Sequence, residues 1–120
     1  MVLVDTSVWV KHFREGEPLL AEILSSDSIL THPFIIGELA CGTMRNRAEV
    51  MEDLAALPAA AVATDQEALR LIEDHKLWGR GLGWIDVHLM ASSLLSNCHI
   101  WTMDRRLATA AEQAGVRRFH

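Results

Sequence analysis

A short apolar run near the start of the chain places the tightest limit on its fold. Val2, Leu3 and Val4 are followed directly by Asp5. A continuous apolar run of this length is typical of a strand buried in a parallel sheet, and open α/β sheets bind their ligands just beyond the carboxyl ends of such strands. Asp5 is therefore either a carboxylate at the rim of a ligand site or the N-cap of a helix that begins near Val8.

The rest of the sequence alternates predicted strands with predicted helices. Further strands are predicted over 28–31, 59–63, 99–103 and 116–119. Helices are predicted over 8–14, 18–25, 34–44 and 47–57, from a cap at Thr64 or Asp65 to the glycine-rich loop 79–83, and over 84–95 and 105–114. This alternation predicts an α/β fold: a three-layer sandwich with a central, mostly parallel sheet.

Length and composition predict an ordinary globular protein. With 120 residues, of which 50% are hydrophobic and 22% charged, the chain is expected to form one domain over 1–120 with a single core. It opens on a strand without a leader, and no apolar run approaches the ~18 residues of a membrane span. Cys41 and Cys98 are far apart, which argues against a disulfide framework or a structural zinc site. We therefore expect a cytoplasmic protein without membrane contact.

Four acids stand out by their positions. Asp5 and Asp104 each follow a predicted strand, while Glu38 and Asp86 lie in segments that are otherwise almost wholly apolar. In such segments an ionised side chain would face the core, and burying an unpaired carboxylate costs on the order of several kcal/mol. A divalent cation compensates several carboxylates at once, and oxygen ligands favour magnesium or manganese. The four acids together indicate a metal site.

Each acid outside the first strand also has a simpler explanation. Glu38 could occupy a solvent-facing helix position. Asp86 should lie in the first turn of its helix, where the helix dipole favours an ionised acid. Asp104 could cap the last helix. The apolar settings of Glu38 and Asp86 favour the shared site over these separate explanations.

In order and spacing, these acids resemble those of the PIN domain, the nuclease domain of VapC-type toxins in toxin-antitoxin pairs. The resemblance spans essentially the whole chain. It rests on Val-Asp-Thr-Ser at 4–7, on the Glu38 segment with Gly42 after it, on Asp86 in its apolar helix, and on Thr-Met-Asp at 102–104. It implies a parallel sheet with helices on both sides and acids that converge at the carboxyl edge of the sheet.

The resemblance also implies an activity. The acids that it makes catalytic and metal-binding are Asp5, Glu38, Asp86 and Asp104, and the hydroxyls that it places beside them are those of Thr6 and Thr102. Bound Mg²⁺ or Mn²⁺ lowers the pKa of water and stabilises the leaving oxygen. The implied function is a metal-dependent endoribonuclease that leaves a 5′-phosphate and a 3′-hydroxyl. Its implied partners are RNA, a second copy in a homodimer, and a cognate, VapB-like antitoxin protein that neutralises it as a toxin.

The charge of the chain is compatible with RNA. The formal net charge is -5, but four negative charges belong to the proposed metal ligands, so the rest of the surface is close to neutral. A basic rim for phosphates is available from Arg45, Arg47, Arg80, Arg105 and Arg106. His88, close to Asp86, either contacts the metal site or packs in the core, and packing is favoured.

Two other functions fit the same residues. In the first, the acids persist without turnover and the chain is a non-catalytic, PIN-like module that binds RNA or protein. In the second, Asp5 is the phosphate acceptor of a phosphohydrolase or receiver-like domain. The second ranks last, because such phosphatases usually carry another Asp two residues after the acceptor, where this chain has Ser7.

Overall fold

The computed structural model describes residues 1–120 and builds them around a parallel sheet. Its three strands are β1 (Val2–Val4), β2 (Ile29–Leu30) and β3 (His99–Trp101), in the order β2-β1-β3. Both neighbours of β1 run parallel to it. The predicted parallel sheet is confirmed, with the opening strand at its centre.

Helices cover both faces of this sheet. Successive side chains of a strand point to opposite faces, and Val2, Leu3 and Val4 are all buried. The helices are α1 (Thr6–Glu15), α2 (Pro18–Ser25), α3 (Pro33–Ala40), α4 (Arg47–Ala56), α5 (Asp65–His75), α6 (Trp84–Ser96) and α7 (Arg105–Gln113). The predicted sandwich of a sheet between helices is thus confirmed.

One helix is shorter than the sequence predicts. The predicted helix 34–44 corresponds to α3, which ends at Ala40. The guanidinium of Arg47 donates hydrogen bonds to the carbonyl oxygens of Ala40 and Gly42. These carbonyls at the C-terminal end of the helix lack intrahelical partners, so Arg47 satisfies them and the chain can leave the helix at this point.

Two predicted strands are wrong. Residues 59–63 and 116–119 each form only one bridge to the sheet, Thr31 with Ala59 and Ile100 with Arg118. In the first segment, the backbone N–H groups of Ala61 and Ala63 donate to the hydroxyls of Ser96 and Ser92. Near the second, the N–H of Val116 donates to the Ala111 carbonyl at the end of α7. Only Ala60 and Phe119 donate from these segments to the sheet, to the carbonyl oxygens of Thr31 and Ile100, so the pairing of each segment stops at a single bridge.

The apolar side chains form one cluster of 28 buried residues on the two sides of the sheet. The helices are not long and apolar enough for any of them to cross a membrane. That 1–120 is a single nuclease domain stays a prediction.

The core matters for the site because it fixes the register of β1 against β3, in which Val4 lies opposite Trp101. The residues that follow these two therefore meet at one edge of the sheet.

Candidate functional site

Asp5 leaves the sheet beside the end of β3. Its backbone N–H donates to the carbonyl oxygen of Trp101 at 2.9 Å, which continues the pairing of the two strands by one residue. The Asp5 side chain is buried, with 7% of its surface exposed. No Lys, Arg or His lies within ion-pair distance of it. A buried carboxylate without a cation is costly unless other groups compensate it.

Two hydroxyl groups hold the Asp5 carboxylate. The hydroxyls of Ser7 and Thr102 donate to its Oδ2 at 2.8 and 2.7 Å, and Oδ1 has no hydrogen-bond partner within the chain. Asp5 occupies the N-cap position of α1, but its side chain accepts no hydrogen bond from a backbone N–H of that helix. The simple capping explanation is therefore not what the structure shows, and Oδ1 is left available to a ligand.

The same two hydroxyls also accept hydrogen bonds. Ser7 Oγ accepts from the backbone N–H of Met103 at 3.0 Å, and Thr102 Oγ1 accepts from that of Asp104 at 3.1 Å. The pair, which we call the hydroxyl bridge, joins the turn after β1 to the turn after β3. Thr102 lies beside the acids as the resemblance implies. Ser7 was not among the predicted site residues, although a hydroxyl two residues after Asp5 is close enough along the chain to turn back onto it.

Asp86 is half-buried in the first turn of α6, as predicted. Its Oδ2 accepts from the backbone N–H of Gly83 at 2.9 Å. Burial raises the pKa of Asp86, the Gly83 N–H opposes that rise, and the negative charges of Asp5, Asp104 and Glu38 add to it. All three of the other predicted acids thus lie near enough to Asp86 to repel its charge.

Glu38 is exposed, and the expectation that it faces the core is wrong. Ile35 and Leu39, four residues apart on α3, are buried and occupy its core-facing side. Glu38 projects to another side of the helix, where its Oε1 accepts a 2.7 Å hydrogen bond from the Thr6 hydroxyl. Thr6 therefore lies beside an acid, as the resemblance implies.

Asp104 is both a helix cap and a neighbour of the other acids. Its Oδ1 accepts from the backbone N–H of Arg106 at 2.9 Å, which caps α7. The Arg106 Nε lies 3.9 Å from the same oxygen and is the only cationic group within ion-pair distance of any of the four predicted acids. Asp104 therefore does cap α7, as the simpler explanation predicts, and it also lies near enough to Asp86 to repel its charge.

The donor chemistry fits a hard divalent cation, but the spacing is wider than a bound ion requires. No three Asp, Glu, His or Cys side chains are close enough together to hold a metal ion. The four acids nevertheless supply only oxygen ligands, which Mg²⁺ and Mn²⁺ prefer. The negative charges of Asp5, Asp104 and Glu38 repel that of Asp86, and a bound cation would reduce this repulsion. The donor set therefore fits such an ion in its chemistry and charge.

Substituting Asp86 by Asn is expected to stabilise the metal-free protein at neutral pH. Because the folded-state pKa of Asp86 is raised, its ionised form lowers stability at neutral pH, and this effect fades as the pH falls through that pKa. Asn removes the charge and can still accept the Gly83 N–H. We expect Tm in EDTA to rise by a few degrees at pH 7.5, with a smaller gain near pH 5.

Asp53→Asn, an exposed acid on α4, is the matched control and should leave Tm unchanged at both pH values. An Asp86→Asn variant that melts at or below the native temperature at pH 7.5 would contradict the account of Asp86.

Two buried histidines lie on or next to the helices that carry Glu38 and Asp86: His32 caps α3, and His88 is in α6. His88 is 1% exposed, its Nε2 lies 3.1 Å from Asp65 Oδ1, and its ring packs edge-on against Phe34 and Trp84. The structure thus supports packing, not metal contact, for His88. His32 Nδ1 accepts the Phe34 N–H at 3.0 Å and so caps α3, the helix that carries Glu38. Burial and the neighbouring His88 lower the pKa of His32, which keeps it a neutral acceptor.

The arginines of the predicted rim have different roles. Arg47 is engaged with the end of α3. Arg45 lines a groove of about 640 Å³ that also includes Glu38. Arg80, Arg105 and Arg106 line a separate open cavity of about 390 Å³. Four of the five predicted arginines therefore line cavities that open to the surface.

Comparisons with known proteins agree with this arrangement. The PIN domain family profile matches residues 2–113. Ribonuclease VapC32 of Mycobacterium tuberculosis, from two strains, is 44% identical over 117 residues, which cover 97% of this chain and 94% of its own length.

Two solved structures share the fold. FitAcB from Neisseria gonorrhoeae aligns with a TM-score of 0.70 and 16% identity over 100% of this chain and 97% of its own. PAE2754 from Pyrobaculum aerophilum aligns with a TM-score of 0.61 and 16% identity over 91% and 78%. The family profile over residues 2–113 and the relative at 44% identity show that the chain belongs to the PIN domain family.

Proposed function

We propose that this protein is a metal-dependent endoribonuclease and the toxin of a toxin-antitoxin pair. The observation that carries the proposal is the buried Asp5 carboxylate, which hydroxyls hold at the sheet edge without a cation, next to three further acids. The 44% identity to Ribonuclease VapC32 supports RNA as the substrate and a VapB-like antitoxin as a partner. We extend the proposal to a cytoplasmic homodimer, as in the family.

In the proposed reaction, the acids bind the metal ion and the hydroxyl groups position the acids. Asp5, Glu38, Asp86 and Asp104 would hold Mg²⁺ or Mn²⁺, and the ion would supply a water of lowered pKa and neutralise charge on the phosphate. The hydroxyl bridge aims Asp5 and, through the backbone N–H of Asp104, fixes the turn that carries the fourth acid. Thr6 orients Glu38. Hydrolysis leaves a 5′-phosphate and a 3′-hydroxyl.

The same acids suggest how an antitoxin inhibits the enzyme. Only Arg106 approaches them, at 3.9 Å from Asp104. An arginine supplied by a partner protein would pair with the carboxylates through charge-assisted hydrogen bonds. It would then occupy the acidic pocket and block the metal or the substrate phosphate.

The test is cleavage of single-stranded RNA by the purified protein. We expect RNA to stay intact in EDTA and to be cut after addition of Mn²⁺ or Mg²⁺. Ligation-based mapping of the new ends should find 5′-phosphates. RNA that is equally intact with and without metal, over a range of sequences, would contradict the proposed activity.

A second candidate function is a PIN-like module that binds RNA or protein without turnover. The absence of any three side chains at metal-binding spacing favours it. The module predicts RNA that is bound but not cut in Mn²⁺, and no change in Tm when Mn²⁺ replaces EDTA. Metal-dependent cleavage would exclude it.

A further inference from the structure

An open cavity next to the acids is lined almost entirely by arginine. Its lining consists of Arg80, Arg105, Arg106 and Thr109, with no acidic and no apolar side chain. Arg105, Arg106 and Thr109 are exposed residues of α7. The cavity therefore combines three positive charges and a hydroxyl at a place that solvent and ligands can reach.

This cavity adjoins two of the acids. The Arg106 guanidinium packs against Gly81, where an added Cβ would lie 2.8 Å from Nη1. Gly81 is in the loop 79–83, whose Gly83 holds Asp86. The Nε of Arg106 lies 3.9 Å from Asp104. Arg105 also lines a second cavity, of about 300 Å³, that includes Thr102 and Asp104. The arginines thus border the segments that present Asp86 and Asp104.

The stability of the fold does not explain why the arginines are here. Arg105 and Arg106 occupy the first turn of α7, whose positive dipole end disfavours cations. Arg80 Nη2 donates to Gln113 Oε1 at 2.6 Å, a neutral partner that orients the guanidinium without cancelling its charge. Apart from the 3.9 Å approach of Arg106 to Asp104, the cluster has no anionic partner. Three neighbouring positive charges with so little compensation favour the binding of an anion from solution.

We propose that Arg80, Arg105, Arg106 and Thr109 bind a backbone phosphate of single-stranded RNA, adjacent in the strand to the phosphate that is cleaved. Guanidinium groups match phosphate oxygens through paired N–H donors, and the Thr109 hydroxyl adds a further donor. The proposal rests on the proposed function, because the acids define which phosphate is cut. Arg105, which lines both cavities, lies between the two phosphates.

The test measures RNA binding without cleavage. The anisotropy of a fluorescent single-stranded RNA is titrated in EDTA at several salt concentrations, with the native protein, Arg105→Gln and Arg106→Gln. Each substitution should weaken binding and reduce the steepness of the log-log salt dependence, by at most about 0.7, the value for one phosphate on a single strand, because the remaining arginines still contact that phosphate. Arg70→Gln, an exposed arginine on α5, is the matched control and should change neither quantity.

The proposal is overturned if Arg105→Gln and Arg106→Gln bind RNA as Arg70→Gln does, or if they bind more weakly with an unchanged salt dependence. Cleavage by the native protein in Mn²⁺ is measured separately. Metal-dependent cleavage with unaffected binding in the arginine variants would refute the phosphate subsite alone. Weakened binding in those variants, with no cleavage by the native protein, would support the subsite and refute the nuclease.

Discussion

Asp5→Asn is expected to abolish metal-dependent RNA cleavage while the fold is retained. Loss of an outer-shell partner of a metal typically costs roughly 10–100-fold in activity, and we expect loss of this ligand to cost more. The Asn oxygen can still accept from Ser7 and Thr102, but its amide group places N–H donors where the carboxylate has the free Oδ1. In EDTA, Tm should be unchanged or higher, because one of the mutually repelling charges is gone.

Asp27→Asn is the matched control for Asp5→Asn. Asp27 is exposed and has a left-handed backbone with a φ of 54°, which Asn tolerates well. The control should cleave RNA at the native rate. If Asp5→Asn cleaves RNA within a few-fold of the control rate, Asp5 is not the essential metal ligand proposed here. A large fall in the Tm of Asp5→Asn would show that the carboxylate stabilises the fold instead.

Thr102→Val should weaken both stability and cleavage. Thr102 is buried, and its hydroxyl donates to Asp5 and accepts from the Asp104 N–H. Valine has nearly the same shape but leaves both partners without that hydroxyl. Loss of a buried hydrogen-bond partner costs about 1–3 kcal/mol. Because the residue positions two of the proposed metal ligands, cleavage should fall by roughly 10–100-fold. Thermal unfolding and RNA cleavage measure the two effects.

Thr31→Val is the matched control for Thr102→Val. Thr31 is equally buried, but its hydroxyl has no hydrogen-bond partner. Replacing an unsatisfied buried hydroxyl with a methyl group should leave stability unchanged or increase it, and cleavage should be unaffected. Equal losses of stability in the two variants would mean that volume and shape, not the hydroxyl bridge, make Thr102 important.

Local pattern was sufficient to predict the sheet edge and the two aspartates, Asp5 and Asp104, that follow its neighbouring strands. The apolar run before Asp5 and the one before Thr102 become neighbouring parallel strands, and parallel strands bring their carboxyl ends together. The first-turn position of Asp86 also follows from sequence alone, because Trp84 begins a long apolar helix.

Features that depend on distant partners could not be predicted in this way. Whether 59–63 pairs as a strand depends on how far β2 extends beside it, and β2 ends at Leu30 with α3 beginning at Pro33. The exposure of Glu38 depends on which side of an almost wholly apolar helix meets the core, and hydrophobicity alone does not distinguish the sides. The hydroxyl bridge joins residues that are close only after β1 and β3 pair. Such contacts are properties of the assembled fold.

The hydroxyl bridge has a consequence for the order in which the protein can become active during its synthesis. Central strand β1 is made first, but its partner β3 follows β2 only after four intervening helices, α3 to α6. Until residues 99–104 have left the ribosome, Asp5 lacks one of its two hydroxyl donors and Asp104 is not yet at the edge of the sheet. A nascent chain therefore cannot present the complete acidic group to RNA near the ribosome that is making it. The proposed nuclease has a built-in delay between synthesis and activity, set by the position of one strand in the chain.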